Sequence, residues 1–260
     1  MTIVSTMHVP GSARQYAAPL QPTGGRVEVW WASWQGGASE SAAAESWYRL
    51  LDAAERRRCQ RLRMPDDRRQ YVAAHGLLRL ALSDATGVPA EQWRFQAGEN
   101  GRPEIAAPLE AADIRFSLSH TRELVACAVG VAVQVGLDVE RIEDGPAIHE
   151  AGELFLAEPE RRDCQALPPA DRTRRLYEYW TLKEAFAKAL GLGLALAPES
   201  AAFELDGRGG ARVRGDAPAA GEGWQFSLWA PTPRHCLATA VRGQAGPDVA
   251  VIPRRREVFA

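Results

Sequence analysis

The chain has 260 residues, 46% hydrophobic and 25% charged, with a formal net charge of −2; this is ordinary globular composition, enough for one large domain or two small ones, and it argues against wholesale nucleic-acid binding. Cys59, Cys127, Cys164 and Cys236 are far apart with no C-x-x-C spacing, which suits reduced thiols in a cytoplasmic protein better than a disulfide or zinc framework. No run of about 18 apolar residues marks a membrane span, and the first 25 residues lack the charged start and apolar core of a secretory signal.

In chain order, residues 1–25 read as a loose leader and 247–260 as a peripheral tail. Arg26 to Trp34 alternates apolar and polar residues, a strand with aromatic weight. The pattern turns helical over 42–51 and 54–62, and Arg56, Arg57, Arg58, Arg61, Arg63, Arg68 and Arg69 then put seven cations into fourteen residues. Such a run is either a solvated helix surface or an electropositive wall for a phosphate-rich ligand or an acidic partner. Tyr71 to Ala85 is an amphipathic helix whose stripe is broken by Arg79, a residue expected to reach toward a site rather than toward bulk water. Two short strands, 93–96 and 103–105, flank the turn Glu99-Asn100-Gly101, with Arg102 at its rim. Ile114 to His120 and Leu124 to Val129 are further strands. Ser119 and His120 are neighbours on a strand and point to opposite faces, so they are no catalytic dyad by themselves; phosphate donation is the better expectation, against a generic polar strand end.

Val133 to Ile142, V-Q-V-G-L-D-V-E-R-I, places Val133, Val135, Leu137 and Val139 on one face and Gln134, Gly136, Asp138 and Glu140 on the other. Two carboxylates about 7 Å apart on one side cost energy unless a cation or solvent compensates. Hard oxygen ligands on a rigid strand suit magnesium with substrate phosphates; the alternative is the wet outer face of a sheet. Helical pattern resumes through Ile148, Leu154 and Phe155, and a short charged segment over 158–167 leads to a long helix. That helix, capped by Asp171 or Thr173 and stopped by Gly191 and Gly193, carries Lys183 and Lys188; every other one of the 31 basic residues is arginine. Lysine is a compact point charge, suited to clamp phosphate. Glu184 and Lys188 project together from the flank of the apolar face, whereas Lys183 falls inside the apolar arc and either snorkels out or meets a buried anion. Strands over 201–205, 211–214, 224–229 and 235–241 complete an α+β pattern, with no sequence repeat but a similar order of elements before and after Val133.

Four motifs, N-G-R-P (Asn100 to Pro103), F-S-L-S-H-T (Phe116 to Thr121), G-L-D-V-E (Gly136 to Glu140) and W-T-L-K-E-A-F-A-K-A-L-G-L-G-L (Trp180 to Leu194), occur in an order and spacing that resembles the surfactin-type (Sfp-type) 4′-phosphopantetheinyl transferases. The chain departs from that family's usual spelling at Arg102, where lysine is frequent, and at Ser117-Leu118, where asparagine often begins the Ser-His motif. The resemblance implies two pseudo-symmetric α+β halves, 26–132 and 133–246, in a cytoplasmic monomer with coenzyme A in the cleft between them. By motif position, Asp138, Glu140 and Glu184 would hold magnesium, or manganese, while Arg58, Arg102, Ser119, His120, Asp138 and Lys188 would contact coenzyme A. The implied reaction is attack by a serine hydroxyl of an apo acyl or peptidyl carrier protein on the β-phosphate, with Glu184 as general base and Lys188 stabilising the leaving adenosine 3′,5′-bisphosphate. Lys183 would pair with these carboxylates or with phosphate. No nucleic acid and no membrane is expected as a partner. The alternative is a non-catalytic coenzyme A or carrier-binding module of the same fold.

Overall fold

In a computed structural model, residues 25–33, 40–98, 103–108, 113–192, 197–214, 223–243 and 249–256 are described. The chain divides after Ala132 and again after Val249 into two units, each a sheet with helices on it.

The N-terminal unit runs β1 (Arg26–Ser33), α1 (Glu40–Leu50), α2 (Ala53–Arg61), α3 (Pro65–Thr86), a 3-10 turn at Ala90–Gln92, then β2 (Arg94–Ala97), β3 (Pro103–Ala107), β4 (Ile114–Thr121) and β5 (Leu124–Val131). β5 lies between β1 and β4, antiparallel to both. Val125, Cys127 and Val129 alternate along β5 and meet Leu77, Leu78, Ala81 and Leu82 of α3 in one core. Burying such side chains contributes about 1.5–3 kcal/mol each. β2 and β3 form the expected antiparallel hairpin, while its turn, including Arg102, lies outside the described residues.

The C-terminal unit repeats that order. It runs β6 (Val133–Arg141), α4 (Pro146–Phe155), α5 (Glu158–Ala166), α6 (Pro169–Leu190), a 3-10 turn at Pro198–Ser200, β7 (Ala202–Leu205), β8 (Gly210–Arg214), β9 (Trp224–Trp229) and β10 (His235–Gly243). β10 lies between β6 and β9, antiparallel to both, as β5 does between β1 and β4. The charged segment over 158–167 is therefore a helix, α5, whose apolar contacts are too few to betray it by periodicity.

The repeat extends to one buried ion pair, although no sequence repeat is visible. In each unit a nine-residue helix (α2, α5) carries glutamate at its third position, where it accepts the amide of the residue preceding the helix: Asp52 N to Glu55 Oε2 and Ala157 N to Glu160 Oε2 are both 2.8 Å. A cation fourteen residues into the following 22-residue helix completes the pair. Arg79 Nη2 lies 2.6 Å from Glu55 Oε2 and Lys183 Nζ lies 2.9 Å from Glu160 Oε2. Arg79 is wholly buried and also donates to the carbonyls of Ala90 and Trp93, at 3.0 and 2.8 Å, so it ties helices together and does not reach toward a site. Burial raises both glutamates, but His75 and Arg79 outweigh it at Glu55 and hold that carboxyl below its usual range. At Glu160 burial prevails over Lys183 and two backbone amides, and the pKa stays raised.

The segment expected to be a tail contains β11 (Ala250–Arg255), which adds to the N-terminal sheet parallel to β1, Arg26 opposite Ala250 and Trp31 opposite Arg255. An arginine-rich end reads as solvated, yet Arg254 lies 3.4 Å from the buried Glu28 carboxylate and Arg256 lies 2.7 Å from Asp84. Those acids, distant in sequence, are what make a basic strand acceptable there.

Candidate active site

β6 and α6 build the acidic centre of the C-terminal unit. A Cβ on Gly136 would stand 1.9 Å from the Ala185 carbonyl oxygen and 2.4 Å from the Ala189 amide. Only glycine lets the strand approach the helix backbone so closely. The Gly136-Asp138-Glu140 face is thus turned toward α6 and is no wet outer face: Asp138 is 4% exposed. The opposite face, Val133, Val135, Leu137 and Val139, is buried as well.

α6 supplies three side chains to this face at four-residue intervals, Trp180, Glu184 and Lys188, one row of the helix surface. The Trp180 indole Nε1 donates to Glu140 Oε1 at 3.2 Å, and Lys188 Nζ donates to Asp138 Oδ1 at 2.6 Å. Burial, together with the negative charge of Asp138, pushes Glu140 up to about 7, against the opposing pull of Trp180 and Lys188. Glu184 is raised by burial and by Asp138, with Lys188 opposing. The three acids therefore feel one another's charge around a single ammonium. Gly191, in the left-handed conformation at φ 72°, ends the helix just past Lys188.

Lys183 does not join the carboxylates of β6: it is 3% exposed, bound to Glu160 and to the Ala201 carbonyl, and belongs to the repeated buried ion pair. Trp180 takes a part that the sequence did not assign it, although its four-residue spacing from Glu184 was the available signal. The helix starts at Pro169, with no side-chain cap from Asp171 or Thr173; Thr173 Oγ1 donates instead to Asp144 Oδ1 at 2.7 Å.

In the N-terminal unit, Arg58 is exposed on α2, and Ser119 (buried) and His120 (exposed) take opposite faces of β4 beside Ala126 and Val125 of β5. The expected coenzyme A contact Arg102 lies outside the described residues. The repeat offers a comparison within the chain. Positions equivalent to Lys183, Glu184 and Lys188, counted from the first residue of α3, are Arg79, Leu80 and Asp84. The buried cation recurs, and the Glu-Lys pair does not. What both units share holds the fold; what α6 alone carries is free to serve chemistry.

Among the described residues no three acidic, imidazole or thiol side chains converge into a cage for a metal ion. The donor set still matches a hard divalent cation, since Glu140 and Glu184 have raised proton affinity from burial and from the neighbouring carboxylate of Asp138.

The family model for the 4′-phosphopantetheinyl transferase superfamily matches residues 134–240, and the model for the 4′-phosphopantetheinyl transferase N-terminal region matches residues 32–131. Similar proteins include the 4′-phosphopantetheinyl transferase HetI of Nostoc sp., 31% identical over 56% of this chain and 61% of that protein. A phosphopantetheinyl transferase of Thraustochytrium sp. is 28% identical over 86% of this chain and 83% of that protein. The 4′-phosphopantetheinyl transferase Sfp of Bacillus subtilis is 27% identical over 62% of this chain and 69% of that protein. The crystal structure of the Thermotoga maritima holo-[acyl-carrier-protein] synthase aligns with a TM-score of 0.35 and 30% identity, over 42% of this chain and 62% of that one. The match to HetI thus spans about three fifths of that relative's length.

Proposed function

Since the chain belongs to the 4′-phosphopantetheinyl transferase superfamily, we propose that it moves the phosphopantetheine arm of coenzyme A onto a serine of an apo acyl or peptidyl carrier protein. The observation that carries this reading is the row Trp180, Glu184 and Lys188 set against Asp138 and Glu140. It offers a base of raised pKa and a part-exposed ammonium beside a charge cluster that would accept a cation.

Glu184 removes the proton of the carrier serine. The serine oxygen bonds to the β-phosphorus as the bond from that phosphorus to the bridging oxygen breaks, and adenosine 3′,5′-bisphosphate leaves. Lys188 neutralises the charge that develops on the departing phosphate. Asp138, Glu140 and Glu184 are the residues that would hold magnesium or manganese, which supplies neutralisation of the pyrophosphate when bound. Arg58, Arg102, Ser119 and His120 are the further coenzyme A contacts in this reading. Trp180, by fixing one oxygen of Glu140, orients the carboxylate. In this reading the protein is a cytoplasmic monomer, a placement with which the free thiols of Cys59, Cys127, Cys164 and Cys236 agree as regards the compartment; no helix among the described residues is long and apolar enough to cross a membrane.

Incubation with coenzyme A, magnesium and apo carrier, read by intact mass, is expected to add one phosphopantetheine group to the carrier. Glu184→Gln is expected to slow transfer by about 10²–10⁴-fold. Carriers that stay unmodified across an acyl and peptidyl panel, while coenzyme A still binds, would support the non-catalytic module instead.

A further inference from the structure

Lys188 pairs with an acid that helix geometry alone would not choose. Glu184 stands one turn earlier on α6, at the spacing in which glutamate and lysine ordinarily pair along a helix, yet among the described residues no ion pair within 4 Å joins them. Lys188 crosses to β6 instead and donates to Asp138 Oδ1 at 2.6 Å. Asp138 is the buried member of the three acids, whereas Glu140 and Glu184 are part-exposed. The lysine thus sits on the carboxylate that water compensates least. It is not there to hold helix to strand, since the position equivalent to Lys188 in α3 is Asp84.

An ammonium in that place keeps a buried carboxylate from standing uncompensated. The same ammonium obstructs a divalent cation, because two positive charges held on one carboxylate repel each other at close range. Asp138 therefore serves Lys188 or a metal ion, and not both. The contact is also one that can be given up. A guanidinium grips a carboxylate as a planar fork through two parallel bonds, whereas a lysine is a compact charge on a flexible stem, and the Lys188 side chain is 31% exposed against 2% for Lys183. We propose that Lys188 is an exchangeable counter-ion: it occupies Asp138 while the metal is absent, yields that carboxylate to magnesium, and moves to a phosphate of coenzyme A. Metal and coenzyme A then bind with positive coupling carried by this side chain. Magnesium arriving alone strands the ammonium; arriving with coenzyme A, it leaves Lys188 an anion to go to. This rests on the transferase reading for the identity of the two ligands.

With Lys183 and Lys188 as the two lysines of the chain, the exchange can be read directly. An amine-acylating reagent followed by peptide mass spectrometry reports Lys188, with the buried Lys183 as internal reference. In the full chain under a chelator, labelling of Lys188 is expected to be slow. Magnesium alone should accelerate it about fivefold or more, and coenzyme A added to the magnesium-loaded protein should suppress it again. Asp138→Asn should be labelled fast in the chelator and should not respond to magnesium. Calorimetry gives the matching equilibrium: without coenzyme A, Lys188→Met is expected to bind magnesium about tenfold more tightly than the parent chain, and to gain less affinity when coenzyme A is added. Labelling of the parent chain that magnesium does not accelerate would overturn the proposal, as would a Lys188→Met variant that binds magnesium no more tightly than the parent. Transfer to an apo carrier, read by intact mass on the same preparation, separates the two readings. Transfer with an unresponsive Lys188 removes the exchange and leaves the transferase; a responsive Lys188 without transfer does the reverse.

Discussion

Lys188 Nζ stands 2.6 Å from Asp138 Oδ1, and this pair links the two elements that make the acidic centre. Asp138 is almost wholly enclosed and its partner is about one third exposed, at 6% and 31% for the side chains. Removing the lysine therefore leaves a buried carboxylate facing two other acids.

Lys188→Met is expected to destabilise the metal-free protein by about 1–3 kcal/mol. Urea denaturation in a chelator measures it. Added magnesium should narrow the gap, since a divalent cation would take over the counter-charge; a deficit that magnesium leaves untouched would argue against a metal on Asp138. Transfer activity should fall at every magnesium concentration.

The other lysine should behave differently. Lys183→Met is expected to cost about 3–5 kcal/mol, because it strands Glu160 in the core. At a temperature where the variant is folded, kcat should remain near that of the parent chain. A large loss of kcat in well-folded protein would return Lys183 to the site.

The metal-free protein should lose stability as pH rises from the unfolded carboxyl range toward 7. Glu140, pushed up to about 7 by burial and by Asp138, keeps its proton over an interval in which the unfolded chain has lost its own. The folded state therefore binds more protons there, and stability falls with rising pH until Glu140 is ionised. Thermal melts of Glu140→Gln in a chelator should match the parent chain near pH 4 and exceed it at pH 8, with the difference opening from about pH 4.5 to about pH 7.

Gly136→Ala should cost about 3 kcal/mol or more, because the added methyl meets the backbone of α6, which cannot rotate away as a side chain would. Chemical denaturation measures the loss. The surviving folded fraction should also bind metal more weakly, since displacing β6 from α6 separates Asp138 from Glu184.

Much of this was legible in the chain itself. Alternation over 133–142 places Gly136, Asp138 and Glu140 on one face whatever surrounds the strand, and a four-residue interval places Glu184 and Lys188 on one row of a helix. Those are consequences of backbone period. The motifs then identified the family, and the α+β order followed. Less visible were α5, whose nine residues carry too few apolar positions to show a period, and β11, whose arginines mask a strand.

By itself, the sequence determined which residue types stand on which face of which element, and so the acids and the lysine available for chemistry. Only the tertiary structure decided the partners. Period says nothing about which side of β6 meets a helix, and a cation in an apolar arc can be neutralised by any acid the fold brings near. That choice gave Lys183 to Glu160 and to the core, left Lys188 with Asp138, and turned Arg79 from a prospective ligand contact into the counterpart of Lys183. Ion pairs are set by distances across the fold, which local sequence does not encode.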